Sequence, residues 1–251
     1  MSEHIDIASR DGVLTLTMDR PDKKNALTDA MYAAMSDAMD KARADTAVRA
    51  VVIRGTGEIF TAGNDIGDFM MAGQQAGERS VFRFLRLLAS FEKPLVAGVQ
   101  GKAVGIGTTL LLHCDYVVVA DDVQLSTPFV KLGLVPEAAS SVLLPARIGH
   151  ARAFAMLAMG QPMEAAEARE CGLANEVVLP GKLDQAVEAA VTRIAALPPD
   201  AVAASKKLMR ETLGVAEAME REGAIFGERL LSAEAREAFT AFMEKRAPKF
   251  G

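Results

Sequence analysis

Three short apolar runs, separated by helical patterns, constrain the fold of this chain more than any other feature. They are Val48 to Arg54, Pro94 to Val99 and Tyr116 to Ala120. Each has the length of a buried strand, and helical patterns over Ser80 to Ser90 and Thr108 to Cys114 lie between them. Strand, helix and strand at this spacing predict right-handed β-α-β units around a largely parallel sheet. The fold class is therefore α/β.

The two ends of the chain differ in character. Apolar alternation over Ile5–Ala8 and Val13–Met18, around the Asp11-Gly12 pair, predicts a β-hairpin. Thr28 is the expected N-cap of a helix that continues to Ala44. Beyond residue 144 helices are predicted over 150–159, 162–171, 182–196, 200–213 and 215–245, with one strand over 176–179. Pro198-Pro199 marks the expected boundary between a core of residues 1–197 and a helical C-terminal region, residues 198–251.

Composition narrows the functional classes. Lys and Arg number 28 against 33 Asp and Glu, which gives a net charge of −5. A chain without a basic excess is poorly suited to sequence-independent nucleic-acid binding. The most apolar stretch, 110–120, is interrupted by His113 and Asp115 and is shorter than the roughly 20 residues of a membrane span. No targeting segment is recognisable, so we expect a cytoplasmic protein without a membrane partner.

Motifs for several common chemistries are absent from the sequence. There is no H-E-x-x-H metal motif, no G-x-S-x-G nucleophile elbow and no phosphate-binding P-loop, and we expect no metal. Two glycine-containing segments, Phe60–Ile66 and Gly101–Thr109, each follow a predicted strand, where open α/β sheets place their ligands. Unpaired amides in two such turns could converge as an oxyanion hole. Taken singly, each segment is better explained as an ordinary tight turn that contains glycine.

Seven motifs in register give the chain a resemblance to a known family. The sequence resembles the crotonase, or enoyl-CoA hydratase/isomerase, superfamily. The motifs are Arg20-Pro21 with Asn25-Ala26-Leu27; Phe60-Thr61-Ala62-Gly63-Asn64-Asp65; Lys93-Pro94-Leu95-Val96-Ala97 with Gly101 and Gly105-Ile106-Gly107; Cys114-Asp115-Tyr116; Thr127-Pro128-Phe129; Leu132-Gly133-Leu134-Val135-Pro136-Glu137; and Glu167-Ala168 with Gly172-Leu173.

The resemblance implies a fold and a ligand. The crotonase fold is a spiral of β-β-α turns that form two stacked sheets, with a helical C-terminal region used in trimer assembly. We therefore expect a homotrimer or a dimer of trimers that binds an acyl-CoA thioester. The amides carried over as the oxyanion hole are those of Asn64 and Ile106. No separate cofactor is expected, because coenzyme A is part of the substrate.

The catalytic residues implied by the resemblance depend on the branch. Family hydratases use two glutamates, and this chain has Thr109 and Phe129 at those positions. Water addition needs a group that deprotonates water, so ordinary hydratase activity is not expected. The stretch that ends at Glu137 resembles the Δ3,Δ2-enoyl-CoA isomerase branch, where one glutamate at this position is the base. The expected reaction is isomerisation of 3-enoyl-CoA to 2-enoyl-CoA, with Phe129 as an apolar wall beside Glu137.

Further residues are candidates for substrate contacts, and two other functions stay open. By resemblance, the CoA-binding candidates are Lys24, Ala62, Gly63, Asp65, Ile66, Phe242 and Lys245, with Phe242 reaching the ligand of a neighbouring subunit. Asp65 is expected to fix its loop rather than to take part in chemistry. The alternatives are another crotonase reaction on an acyl-CoA, such as a specialised hydratase, and a non-catalytic acyl-CoA-binding module. Glu137 favours an enzyme over the binding module, because a pure binder has no need of a carboxylate at this position.

Overall fold

A computed structural model of the chain describes residues 3–68 and 79–250. Within these residues six strands form one sheet in the order β1-β2-β3-β4-β6-β9, and all neighbouring pairs are parallel except β1 with β2. Their bounds are β1 Ile5–Arg10, β2 Val13–Met18, β3 Ala50–Gly55, β4 Leu95–Val99, β6 Tyr116–Ala120 and β9 Glu176–Val178. The hairpin, the three buried strands and the largely parallel sheet are confirmed. Asp11 and Gly12 both have positive φ, as a two-residue hairpin turn requires.

A second, smaller sheet in the described residues has the order β5-β7-β8, and the sequence pattern missed all three strands. They are β5 Lys102–Val104, β7 Gln124–Ser126 and β8 Met163–Glu164. Strands of two or three residues are too short to show alternation, and β5 lies inside the segment that was interpreted as a glycine-rich turn. The chain passes from β4 to β5 and from β6 to β7, so the strands from β4 to β7 alternate between the sheets. This is the expected crotonase spiral with two sheets.

Helices cover the sheets and form the C-terminal part of the chain. Their bounds are α1 Asp29–Ala44, α2 Ser80–Ser90, α3 Ile106–Thr109, α4 Ser140–Ile148, α5 His150–Leu157, α6 Ala165–Glu170, α7 Leu183–Ala195, α8 Pro199–Arg210, α9 Val215–Leu230 and α10 Ala233–Met243. Thr28 caps α1 as predicted, because its hydroxyl accepts a hydrogen bond from the Met31 amide. No described helix combines the length and apolar character that crossing a bilayer requires.

Three helix predictions need correction, and one helix is missing from the sequence-based prediction. The helix predicted over 108–114 begins at Ile106 and continues as a 3-10 turn over Leu110–His113. The one predicted over 162–171 begins only at Ala165, after β8. The single helix predicted over 215–245 is two helices, because Ser232 starts a new one by accepting from the Ala235 amide. Helix α4 was not predicted, since Pro145 in its interior argues against a helix.

The buried core occupies both faces of the larger sheet. The larger cluster includes side chains from the strands, α1 and α2, with Leu16, Ile53, Phe60, Phe84 and Leu88 fully or almost fully buried. A smaller cluster on the opposite face joins β3, β4 and β6 to α7 through Val52, Val96, Val118 and Val187. Together they hold the carboxyl ends of β3 and β4 in place, and the two glycine segments follow from there.

Candidate active site

The two glycine turns lie side by side because the segments that lead into them are paired. Thr61 forms a parallel bridge with Ala103; its amide donates to the Lys102 carbonyl (3.1 Å), and its carbonyl accepts from the Val104 amide (3.1 Å). Asn64 is three residues beyond Thr61, and Ile106 is three residues beyond Ala103. Gly63 has a φ of +87°, and a Cβ there would stand 2.8 Å from the Val104 carbonyl oxygen, so the close approach requires glycine.

In the part of the chain that the structure describes, neither the Asn64 amide nor the Ile106 amide donates a hydrogen bond. Asn64 is bridged to Leu27, whose amide and carbonyl bond to the flanking Gly63 carbonyl (2.8 Å) and Asp65 amide (2.9 Å). The Asn64 N–H therefore points to the other side. Ile106 is the first residue of α3, after Gly105 with a φ of +57°, where helical amides have no intrahelical acceptor. Two such donors can stabilise one developing negative oxygen.

Glu137 projects into the same cavity as Asn64. The cavity has a volume of about 840 Å³ and is walled mainly by α2 and α9, with Val81, Leu85 and Phe226 among its apolar residues. The Thr109 hydroxyl donates a hydrogen bond to Oε1 of Glu137 at 2.5 Å. Burial raises the pKa of Glu137 to about 7, although the Thr109 bond lowers it, and the negative charge of Glu222 raises it as well. Such a carboxyl is poised to exchange a proton near neutral pH.

Two buried groups fasten the turn that follows Glu137, and sequence reasoning did not identify Glu222. Ala138 and Ala139 both have left-handed backbone, with φ of 59° and 56°. The Glu222 carboxylate accepts from the amides of Ala139 (2.6 Å) and Ser141 (2.8 Å). His113 Nε2 bonds to the Ala138 carbonyl (2.8 Å), and burial lowers the pKa of this histidine to about 4. His113 is thus a packed core histidine.

Tyr32 is a second residue that sequence reasoning missed. Its hydroxyl donates to Oδ1 of Asn64 at 2.5 Å, and its ring packs against Phe84 with centroids 5.5 Å apart. Burial, and then the charge of Glu137, raise the pKa of Tyr32 well above its usual value. The phenol therefore stays protonated and holds the Asn64 side chain. In the sequence Tyr32 is only one more buried position of α1, and nothing marks it.

The first glycine turn gathers several of the CoA candidates. The Lys24 carbonyl accepts from the Ala62 amide at 2.9 Å, so the exposed Lys24 borders this turn. The Asp65 carboxylate accepts from Arg20 (2.7 Å) and from the Asp68 amide (3.1 Å). Burial raises the pKa of Asp65, but these hydrogen bonds outweigh it and the net pKa is lowered. Asp65 thus fastens its loop, and Ile66 packs against the core.

Other candidates lie elsewhere. Phe129 is buried beside the second turn, with its ring 3.9 Å from where a Cβ on Gly105 would stand. Phe242 is 60% exposed, Lys245 is exposed, and neither lines the cavity that holds Glu137. A contact of theirs with the ligand of a neighbouring subunit stays a prediction. Among the described residues, no three His, Cys, Asp or Glu side chains converge as metal ligands.

Comparison with known proteins places this geometry in a family. The profile of the enoyl-CoA hydratase/isomerase family matches residues 8–251. The chain belongs to the enoyl-CoA hydratase/isomerase family. It is therefore an enzyme of the crotonase superfamily.

Relatives of this enoyl-CoA hydratase/isomerase family member include more than one activity. The rat protein named enoyl-CoA delta isomerase 2 is 37% identical over 216 residues, which are 84% of this chain and 55% of that protein. The Escherichia coli 1,2-epoxyphenylacetyl-CoA isomerase is 32% identical over 95% of both chains. The crystal structure of an enoyl-CoA hydratase/isomerase from Pseudoalteromonas atlantica superimposes with a TM-score of 0.95 at 41% identity, covering 99% of this chain and 100% of that one.

Proposed function

We propose that this enzyme converts 3-enoyl-CoA into 2-enoyl-CoA, with Glu137 as the base and the Asn64 and Ile106 amides as the oxyanion hole. The observation that carries the proposal is that Glu137 and Asn64 line one cavity, with Glu137 bonded to Thr109. Thr109 stands where family hydratases have a glutamate. It therefore orients one carboxylate instead of supplying a second.

The isomerisation needs one group that carries the proton and one site that stabilises the negative oxygen of the intermediate. Ionised Glu137 removes a proton from C2, the C3–C4 π electrons become delocalised, and the negative charge reaches the thioester oxygen as a dienolate. The same carboxyl returns the proton to C4, so the double bond ends between C2 and C3 and atoms balance. Each oxyanion-hole donor is typically worth roughly 3 kcal/mol of barrier. The reaction uses no cofactor, because coenzyme A enters with the substrate.

The environment of Glu137 supports this role. A base is most effective when its pKa lies close to the working pH, and burial raises the pKa of Glu137 to about 7. Apolar walls from α2 and α9 can receive an aliphatic acyl chain and keep water from the dienolate. Lys24 and the turn from Ala62 to Ile66 are proposed to contact coenzyme A. A trimeric assembly and a cytoplasmic location stay predictions.

A second candidate is another reaction on an acyl-CoA. It is favoured by the Escherichia coli relative, which aligns over 95% of both chains and is named for isomerising 1,2-epoxyphenylacetyl-CoA. A specialised hydratase belongs to the same alternative. Against it, Thr109 and Phe129 occupy the two positions at which family hydratases have glutamates, so no carboxylate there can activate water.

One assay separates these candidates. Purified enzyme is supplied with 3-enoyl-CoA and, separately, with 2-enoyl-CoA, and kcat/KM is measured for isomerisation and hydration. We expect isomerisation to exceed hydration by at least about a hundredfold, since general acid–base groups contribute about 10²–10⁴ and the hydratase pair is missing. Comparable values, or no turnover of either substrate, would favour the second candidate.

A further inference from the structure

The backbone immediately after Glu137 adopts a conformation that its own residues do not favour. Ala138 and Ala139 have φ of 59° and 56°, in the left-handed region that non-glycine residues rarely occupy. Two such residues in succession persist only when surrounding contacts hold them. The direction of the Glu137 side chain therefore depends on what holds this turn.

Glu222, on a helix far along the chain, stabilises this turn with two hydrogen bonds. It lies on α9, and its two carboxylate oxygens accept separately from the Ala139 amide (2.6 Å) and the Ser141 amide (2.8 Å). The side chain is only 6% exposed. Hydrogen bonds to an ionised acceptor are about twice as strong as neutral ones, and little water is available to replace them here.

The position of Glu222 on α9 is not explained by helix packing. Val215, Met219, Phe226 and Leu230 line the cavity from the same helix. Glu222 lies between Met219 and Phe226 and completes a stripe with intervals of three and four residues. An apolar residue would be expected there. A carboxylate in that place must be desolvated, which is unfavourable unless it is hydrogen-bonded.

We propose that Glu222 is a positioning residue for proton transfer, because its two hydrogen bonds fix the backbone from which Glu137 points into the cavity. The inference rests on the proposed role of Glu137 as the base. Glu222 touches neither the substrate thioester nor the transferred proton in this account. It acts through the turn at Ala138 and Ala139, and through its charge.

The charge of Glu222 gives the proposal a second, electrostatic consequence. It raises the pKa of Glu137, after the larger effect of burial, while the Thr109 hydrogen bond lowers it. Burial likewise raises the pKa of Glu222, against its bonds to Ser141 and Ala139 and the charge of Arg221. Other titratable or charged groups that face this region are Tyr32 of α1, Arg79 before α2, Arg86 of α2, His113, Arg210 of α8, Glu211, and Glu217 and Glu220 of α9. Removing the charge of Glu222 should therefore lower the pKa of Glu137.

The test compares Glu222→Gln with Glu228→Gln. Glutamine keeps the size of Glu222 but retains one acceptor oxygen and turns an NH2 group toward an amide donor. We expect kcat for 3-enoyl-CoA to fall roughly 10- to 100-fold, the scale of a small misplacement of a reacting group, with KM changed less than about twofold. The acid limb of the pH profile should move to lower pH. Glu228 is exposed on the same helix and outside the cavity, so its variant should keep the wild-type kcat and profile.

An activity-independent measurement accompanies the kinetics. The carboxyl carbon of Glu137 is titrated by NMR in 13C-glutamate-labelled enzyme, with its signal assigned by its loss in Glu137→Gln. A lower midpoint in Glu222→Gln supports the inference; an unchanged midpoint together with unchanged kcat overturns it. If wild-type enzyme does not isomerise 3-enoyl-CoA, the proposed function fails, and an unchanged midpoint alone then overturns the inference. Should Glu222→Gln fold poorly, the double variant with Ala139→Gly carries the same test, because glycine adopts this φ without strain.

Discussion

The Thr109 hydroxyl donates a hydrogen bond to Oε1 of Glu137 across 2.5 Å. Thr109 comes from the end of α3, which begins at the proposed oxyanion donor Ile106. One four-residue helix thus links the proposed oxyanion donor to the residue that is hydrogen-bonded to the proposed base. The substitution of a hydratase glutamate by threonine changes a second proton carrier into a hydrogen-bond donor.

This contact predicts the effect of Thr109→Val. Valine keeps the shape but removes the hydrogen bond that lowers the pKa of Glu137, so the pKa rises and less carboxylate is ionised at a given pH. The acid limb of kcat/KM against pH should move upward, with kcat/KM at pH 6 reduced roughly threefold or more. Thr109→Ser keeps the hydroxyl and should retain the wild-type profile. A valine profile that moves downward would contradict the assignment of the hydrogen bond.

Tyr32→Phe should weaken the oxyanion site without altering the cavity. It deletes the hydroxyl that holds Oδ1 of Asn64 and leaves the ring packed on Phe84. Loss of one neutral hydrogen bond corresponds to roughly 0.5–1.5 kcal/mol. We expect kcat to fall roughly two- to tenfold with little change in KM. The only other tyrosine, Tyr116 on β6, provides the control, and Tyr116→Phe should leave both constants unchanged.

The raised pKa of Glu137 also predicts a dependence of stability on pH. Since its pKa is about 7 when folded and lower when unfolded, the protonated form favours folding at low pH. That contribution is present below the unfolded pKa and is lost as the pH rises through about 7. Glu137→Gln should therefore match the wild type in free energy of unfolding near pH 4 and exceed it by roughly 1–3 kcal/mol at pH 8. Denaturant unfolding at the two pH values measures this, and a variant that is less stable at pH 8 would refute it.

The C-terminal helices predict assembly. Phe239 is buried, and Phe226 and Leu230 pack against the core, but Leu231 and Phe242 are 75% and 60% exposed. Within one chain these two apolar side chains are largely uncovered. A trimer or dimer of trimers would cover them. Light scattering at micromolar concentration should give at least a trimer, and Phe242→Asp should shift it to smaller species. A monomeric wild type would contradict the prediction.

The sequence predicted the parts of this enzyme that depend on local pattern. The three apolar runs, the Asp11-Gly12 hairpin and the N-cap at Thr28 are signals contained within a few residues, and each is confirmed. The two glycine turns could be brought together because parallel strands align their carboxyl ends. The roles of Asn64, Ile106 and Glu137 came only from family resemblance.

What the sequence did not reveal depends on contacts between distant segments. Glu222 bonds to Ala139 across 83 positions, and Tyr32 bonds to Asn64 across 32. The sequence pattern of α9 shows that Glu222 interrupts an apolar stripe, but it does not show which residues this carboxylate contacts. Strands of two or three residues such as β5 and β8 exist through pairing rather than through propensity. Helix α4 tolerates Pro145 in its interior, against the local rule.

The central claim is that Glu137 carries the proton between C2 and C4, and one measurement tests it most directly. Glu137→Gln preserves size and hydrogen bonding but cannot accept a proton. Single-turnover and steady-state kinetics on 3-enoyl-CoA should show kcat reduced at least about 10²-fold, with KM and the dissociation constant for the acyl-CoA little changed. Retention of more than about a third of wild-type kcat would remove Glu137 from the mechanism and contradict this account.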